Sequence, residues 1–221
     1  MPAGPEMLSA WFEWLTVEGS RDSSLKRTVE ENSKSVFGMI ETYLSQMKGE
    51  AWNLKLEEVT NNTQATFGND VMIKVFLLRD LAKTWKNEPE KLIYIEGVDD
   101  LNKVSKQPFI HVLRVNQLGE ADFEERLNIS VRIGNTMVFN DISLHVALSS
   151  IIELSFVFNL MFPPGCDDMF QFTQRILANF GPSDGARNLQ GKVKKNFLDF
   201  QIAMGKMIID GRKGEVIKLF M

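Results

Sequence analysis

The eight residues "RLNISVRI" (126–133) alternate strictly between polar and apolar side chains, and they constrain the fold more than any other stretch. Successive side chains of a strand point to opposite faces. Leu127, Ile129, Val131 and Ile133 therefore line one face, and Arg126, Asn128, Ser130 and Arg132 the other. This is the pattern of a half-buried strand. Gly134-Asn135 follows, then "TMVF" (136–139), which completes the signature of a two-residue hairpin. Two further short runs, "KLIYIEG" (91–97) and "PFIHVLRV" (108–115), are rich in β-formers and predict companion strands. A short antiparallel sheet with a hairpin near 127–139 is expected.

Elsewhere apolar residues recur at helical spacing. Met7, Leu8, Trp11 and Leu15 mark a first helix, stopped by Gly19-Ser20. A second should begin near Ser23 or Ser24, with Leu25, Val29, Val36, Phe37, Ile40, Leu44 and Met47 inward. Its other face, Lys26, Arg27, Glu30, Glu31 and Lys34, is solvated. "NNTQATFGND" (61–70) reads as a loop ending in a helix cap. Val71, Val75, Leu78, Leu81, Ala82 and Trp85 then form a third stripe, ended before Pro89.

After the hairpin, residues 142–162 are two-thirds apolar, broken by a narrow stripe of His145, Ser149 and Glu153. A helix apolar around most of its circumference is buried. A membrane span of the same length is disfavoured by Glu153 and His145 near its middle. Pro163-Pro164 cannot continue that helix, Gly165 frees the turn, and Asp167 or Asp168 is placed to cap the next one. Met169, Phe172, Thr173, Ile176 and Phe180 face inward there, before Gly181-Pro182. A final helix near 185–209 carries Leu189, Val193, Phe197, Phe200 and Met204 inward. The fold class is α+β: a helical N-terminal part (1–88), then an α+β part (89–221) with the sheet and three C-terminal helices. The two meet near 86–106 or run on as one domain.

The length of 221 residues suffices for a sizeable core. The single cysteine rules out an internal disulfide. "MPAGPEMLSAWFEWL" lacks the basic and apolar regions of an export signal, so a cytoplasmic or nuclear protein is expected. Charge is distributed unevenly. Residues 186–221 hold eight Lys/Arg against three acids, +5, and the net −4 of the chain leaves the other 185 residues at −9. Such a tail permits an acidic partner, nucleic acid included, without requiring one.

Signals of chemistry are sparse. Cys166 precedes a helix N-terminus, where a thiolate would be favoured, but Asp167 and Asp168 oppose ionisation and no protease signature surrounds it. His145 or His111 would have to act as its base, and His111 reads instead as a satisfied sheet residue. Two histidines and one cysteine make no structural zinc site without carboxylates, and no phosphate-loop pattern occurs. Asp99-Asp100 reads as a turn. No cofactor and no metal is expected.

Residues 129–180 combine the alternating strand and hairpin with an apolar helix ending in "FVFNLMFPP" and a helix carrying "FTQR". In this they resemble a C-terminal block of uncharacterised animal proteins, some with a sterile alpha motif and many derived from mobile elements. The block implies no activity. "FEWLTVEGSRDSSLKRTVEENSKSVFGMIETYL" (12–44) resembles the first helices of the core-binding domain of tyrosine recombinases, which implies DNA binding and not strand cleavage. The catalytic half has no counterpart, because both tyrosines lie before residue 95 and no nucleophile follows His111 and Arg114. The expected function is a non-catalytic protein-interaction module, domesticated from a mobile element. The alternative is nucleic-acid binding through Arg21, Lys26, Arg27 and Lys34, with Arg187, Lys192, Lys194 and Lys195 of the last helix.

Overall fold

The computed structural model describes residues 24–67, 70–100, 102, 106–118, 123–157, 163–179 and 199–205. Three helices come first: α1 (Ser24–Lys48), α2 (Glu50–Phe67) and α3 (Val71–Thr84). A 3₁₀ turn (Pro89–Lys91) leads to β1 (Ile93–Ile95), β2 (Pro108–Leu118), β3 (Phe123–Ile133) and β4 (Thr136–Phe139). Next come α4 (Leu144–Val157), α5 (Asp167–Phe172), a π-helical turn (Thr173–Leu177) and a helical segment at 199–205. The class is α+β, as the change of hydrophobic period requires. The expected helix at 7–15 lies outside the described residues, as does most of 185–209.

α1 begins where expected and buries Val29, Val36, Phe37, Ile40 and Leu44. Met47 departs from expectation and is 56% exposed, because the last turn of α1 runs past the core. The expected loop at 61–70 is corrected: α2 continues through "NNTQATF" to Phe67. Nothing in 61–67 breaks a helix, and the hydroxyl of Thr60 donates to the carbonyl of Leu56 one turn back. Asp70 precedes α3 without a side-chain capping bond, and its carboxylate pairs instead with Lys74 at 2.7 Å.

The sheet runs in the order β1-β2-β3-β4. Gly134 takes a positive φ of 55° at the tip of the β3–β4 hairpin, where Ile133 faces Thr136. β2 and β3 pair antiparallel over their whole lengths, from Pro108 opposite Ile133 to Leu118 opposite Phe123. β1 adds to β2 in parallel, Ile93 beside Ile110, so the sheet is mixed. Arg79 of α3 holds this edge. Its guanidinium meets both oxygens of Asp99 at 2.6 Å and also donates to the carbonyl of Ile93. Asp99 accepts the Ile95 N–H at 2.7 Å, so the Asp99-Asp100 pair does serve a turn.

Ile110, Val112, Ile129 and Val131 turn one sheet face toward α4, and α1 packs on the other side of α4. This double cover explains a helix apolar nearly all round. Even Ser149 is fully buried, its hydroxyl donating to the carbonyl of Val146. Among the described residues no helix is long and apolar enough to cross a membrane. Trp85, Phe172 and Phe200 pack edge to face at 5.5–5.9 Å, with Tyr43 4.9 Å from Phe200, which ties α1, α3, α5 and the 199–205 helix into one core.

The turn after the Pro-Pro pair locks onto the 3₁₀ turn. The Glu88 N–H donates to the carbonyl of Gly165, and Lys91 Nζ to that of Pro164. Gly165 sits at φ 84°, a backbone conformation that strains any residue with a Cβ, so glycine is favoured there. Neither Asp167 nor Asp168 caps α5, which corrects the sequence reading. Cys166 occupies the cap position without a side-chain bond, and Asn87, next to the end of α3, supplies the acceptor. Its Oδ1 accepts the Met169 N–H at 3.1 Å while its Nδ2 donates to Asp168 at 3.2 Å.

Candidate interaction surface

The residues singled out for catalysis are held in place and sealed. Cys166 is fully buried, and burial, reinforced by the nearby Asp167 charge, pushes its thiol far above the ordinary thiol range. Such a thiol stays protonated and out of reach of substrate. His111 lies on the sheet face opposite α4, its Nε2 2.8 Å from Glu96 and its Nδ1 3.3 Å from the Ser130 hydroxyl. The chain Ser130–His111–Glu96 has the residue types of a hydrolytic triad. However, Ser130 is only 1% exposed, so its hydroxyl has no approach for a substrate. His145, on α4, stands 3.8 Å from Glu30 of α1, away from both. The fold brings neither histidine into a bond with Cys166 among the described residues. Among those residues, too, no group of three or more His, Cys, Asp or Glu is placed to hold a metal ion.

Of the basic residues proposed for nucleic acid, three are described. Lys26, Arg27 and Lys34 all lie on α1, where Glu30 and Glu31 interleave with them. Arg27 reaches Glu31 at 3.9 Å, with both side chains well exposed. Arg21, Arg187, Lys192, Lys194 and Lys195 lie outside the described residues.

The feature that does form a surface is the α1–α2 corner. Gly49, at φ 72°, is the single residue between the two helices, and its N–H donates to the carbonyl of Ser45. Positive φ at this position ends α1 in the usual way and lets the chain turn back. An open groove of about 610 Å³ lies between the helices, lined by Glu41, Thr42, Ser45, Gln46, Asn53, Leu56, Glu57 and Thr60. Lining residues pair off at equal distances from Gly49, Ser45 with Asn53, Thr42 with Leu56 and Glu41 with Glu57, as two helices folded against each other require. On α2 the set 53, 56, 57 and 60 is one helical stripe.

Charge around the corner is sorted by side. Lys48 pairs with Asp80 of α3 at 2.7 Å, an oxygen it shares with the Trp52 indole N–H. Lys55 lies over the ring of Phe76, also on α3. Both cations of the corner thus face α3 and not the groove. Glu41 and Glu57 are the charged residues lining the groove, and neither has a bonding partner among the described residues. Leu54, 61% exposed, follows Asn53 and precedes Glu57 by three positions, so it borders the same stripe. Sequence reasoning missed this groove because it assigned no helix to 50–60. No family model, curated protein or solved structure matches the chain.

Proposed function

We propose that this chain is a non-catalytic protein-interaction module whose contact surface is the groove between α1 and α2. The observation that carries the reading is the open cleft itself, with Leu54, 61% exposed, next to Asn53 of its α2 wall. A large apolar side chain left to solvent beside a cleft suits a surface that another chain covers. The sealed thiol of Cys166 and the buried Ser130 hydroxyl support the absence of catalysis. The resemblance of 129–180 supports descent from a mobile element, and the module acts in the cytoplasm or nucleus.

A photo-crosslinking amino acid at Gln46 tests this in cells expressing the chain, with Met137 on β4 as the comparison site. The expected result is a discrete adduct from position 46 that disappears when Asn53→Trp fills the groove. No adduct at 46, or one untouched by Asn53→Trp, overturns the reading. The second reading, nucleic-acid binding, is favoured by one observation, the +5 of residues 186–221.

A further inference from the structure

We propose that the partner segment in the α1–α2 groove is a basic amphipathic stretch of another protein, with an arginine or lysine held between Glu41 and Glu57. This rests on the reading of the groove as the contact surface and adds the chemistry of what fills it. Glu41 and Glu57 stand eight residues to either side of Gly49, one on each wall of the groove. A cation seated in the groove lies in the field of both. Among the described residues each carboxylate lacks a partner, whereas the nearest lysines of the corner, Lys48 and Lys55, are committed to Asp80 and Phe76. The molecule has therefore used its local positive charge elsewhere and left the groove with charge of a single sign.

The remaining walls select for apolar character beside that cation. Leu56 forms the buried floor, and the hydroxyls of Thr42 and Thr60 are spent on the carbonyls of Gly38 and Leu56 within their own helices. Their methyl groups are what remains for a ligand. Gln46 and Asn53 have no bonding partner among the described residues, which leaves their amides for the backbone or side chains of the incoming segment. The α2 stripe from 53 to 60 is about 10 Å long at 1.5 Å per residue, matched to one or two turns of a docked helix. The mode is that of an amphipathic helix laid into a groove, with a charge-assisted bond fixing its register.

Fluorescence anisotropy with three labelled 18-residue peptides tests this. One alternates Leu and Arg at helical spacing, the second replaces Arg by Glu, and the third keeps the Arg residues but replaces Leu by Gly. The Leu/Arg peptide is expected to bind, and Glu41→Lys/Glu57→Lys to weaken it about tenfold or more, the factor expected for losing a charge-assisted pair. A matched charge change away from the groove, Glu31→Lys/Asp100→Lys, is expected to change affinity less than about threefold, by screening at that distance. Equal losses from the two double variants would mean unspecific attraction and overturn the proposal. Preferential binding of the Leu/Glu peptide, abolished by Asn53→Trp, would overturn the basic partner while leaving the groove as the contact surface. Binding of the Gly/Arg peptide as tightly as the Leu/Arg peptide would overturn the amphipathic requirement. Sedimentation showing a dimer that Glu41→Lys/Glu57→Lys dissolves would assign the groove to a second copy of this chain and overturn the proposal. Both glutamates are exposed, so the double variant is expected to fold, which its urea midpoint checks.

Discussion

The imidazole of His111 lies 5.5 Å from the ring of Tyr94 and between the Ser130 hydroxyl and the Glu96 carboxylate. Burial lowers its pKa, the nearby Arg132 charge lowers it further, and the bond to Glu96 works in the opposite direction. The folded state thus prefers neutral His111. The unfolded chain takes up the proton first, near the ordinary value of 6.5. Between that value and the lower folded one, the unfolded state holds more protons, so stability falls as pH falls. The contribution is fully present above about pH 6.5, the unfolded value, and is lost in the window beneath it. Urea midpoints at pH 7.5 and 5.5 should therefore drop less for His111→Gln than for the natural chain. An equal drop in both would assign the acid sensitivity to other groups. The sequence placed His111 in a strand and read it as satisfied, and the strand was legible because the run 108–115 is rich in β-formers. Which groups satisfy it was not legible, since Glu96 and Ser130 arrive from two other segments.

Helix α5 is only six residues long and depends on what lies outside it. An isolated helix of that length does not form in water. Here Asn87, 82 residues away in sequence, accepts the Met169 N–H and donates to buried Asp168. Lys86, at φ 60°, sets this side chain by closing α3 with a bond from the Asn87 N–H to the Ala82 carbonyl. Asn87→Ala removes acceptor and donor together and is expected to cost about 1–3 kcal/mol, the range for a buried cap with an unmatched polar neighbour. Asn87→Asp keeps an acceptor oxygen but sets a second carboxylate against Asp168. It should be more destabilising than alanine at pH 7, where the two carboxylates repel each other. Urea denaturation of both variants decides, and an aspartate variant as stable as the natural chain would remove Asn87 from this role. The sequence offered Asp167 and Asp168 because local capping is the commonest kind, and a cap delivered by tertiary contact leaves no local trace. α2 was obscured for a different reason. Its apolar residues are few and its second half, "NNTQATF", has the composition of a loop, yet packing of Trp52 and Leu56 carries the helix through. The β3–β4 hairpin was legible from 126 to 139, because strict alternation and a Gly-Asn turn agree, while the start of β3 at 123–125 was not.

Over the whole chain, the distribution of charge separates the two functional readings. The basic tail contributes +5 and the rest −9, so a phosphate backbone approaching the tail meets repulsion from the larger part of the molecule. The described basic residues do not offset this. On α1, Lys26, Arg27 and Lys34 share their helix with Glu30 and Glu31, and Arg27 is already engaged with Glu31. A non-specific DNA binder gains affinity by releasing counterions at several phosphates at once, which needs unopposed cations in a row. Single-strand binding would in addition need exposed aromatics for base stacking. Among the described residues, Trp52, Trp85, Phe109, Phe170, Phe172 and Phe200 are instead buried. Binding to duplex or single-stranded nucleic acid is therefore expected to be no tighter than about 10⁻⁴ to 10⁻⁶ M at physiological salt. An anisotropy titration of labelled DNA and RNA across salt concentrations measures it. Sub-micromolar affinity with a steep salt slope, abolished by Lys192→Glu and Lys195→Glu, would displace the interaction module in favour of a nucleic-acid binder. Weak binding that the tail substitutions leave unchanged, together with the groove-dependent adduct at position 46, would place the working surface at the α1–α2 corner, where the unpaired charge is negative.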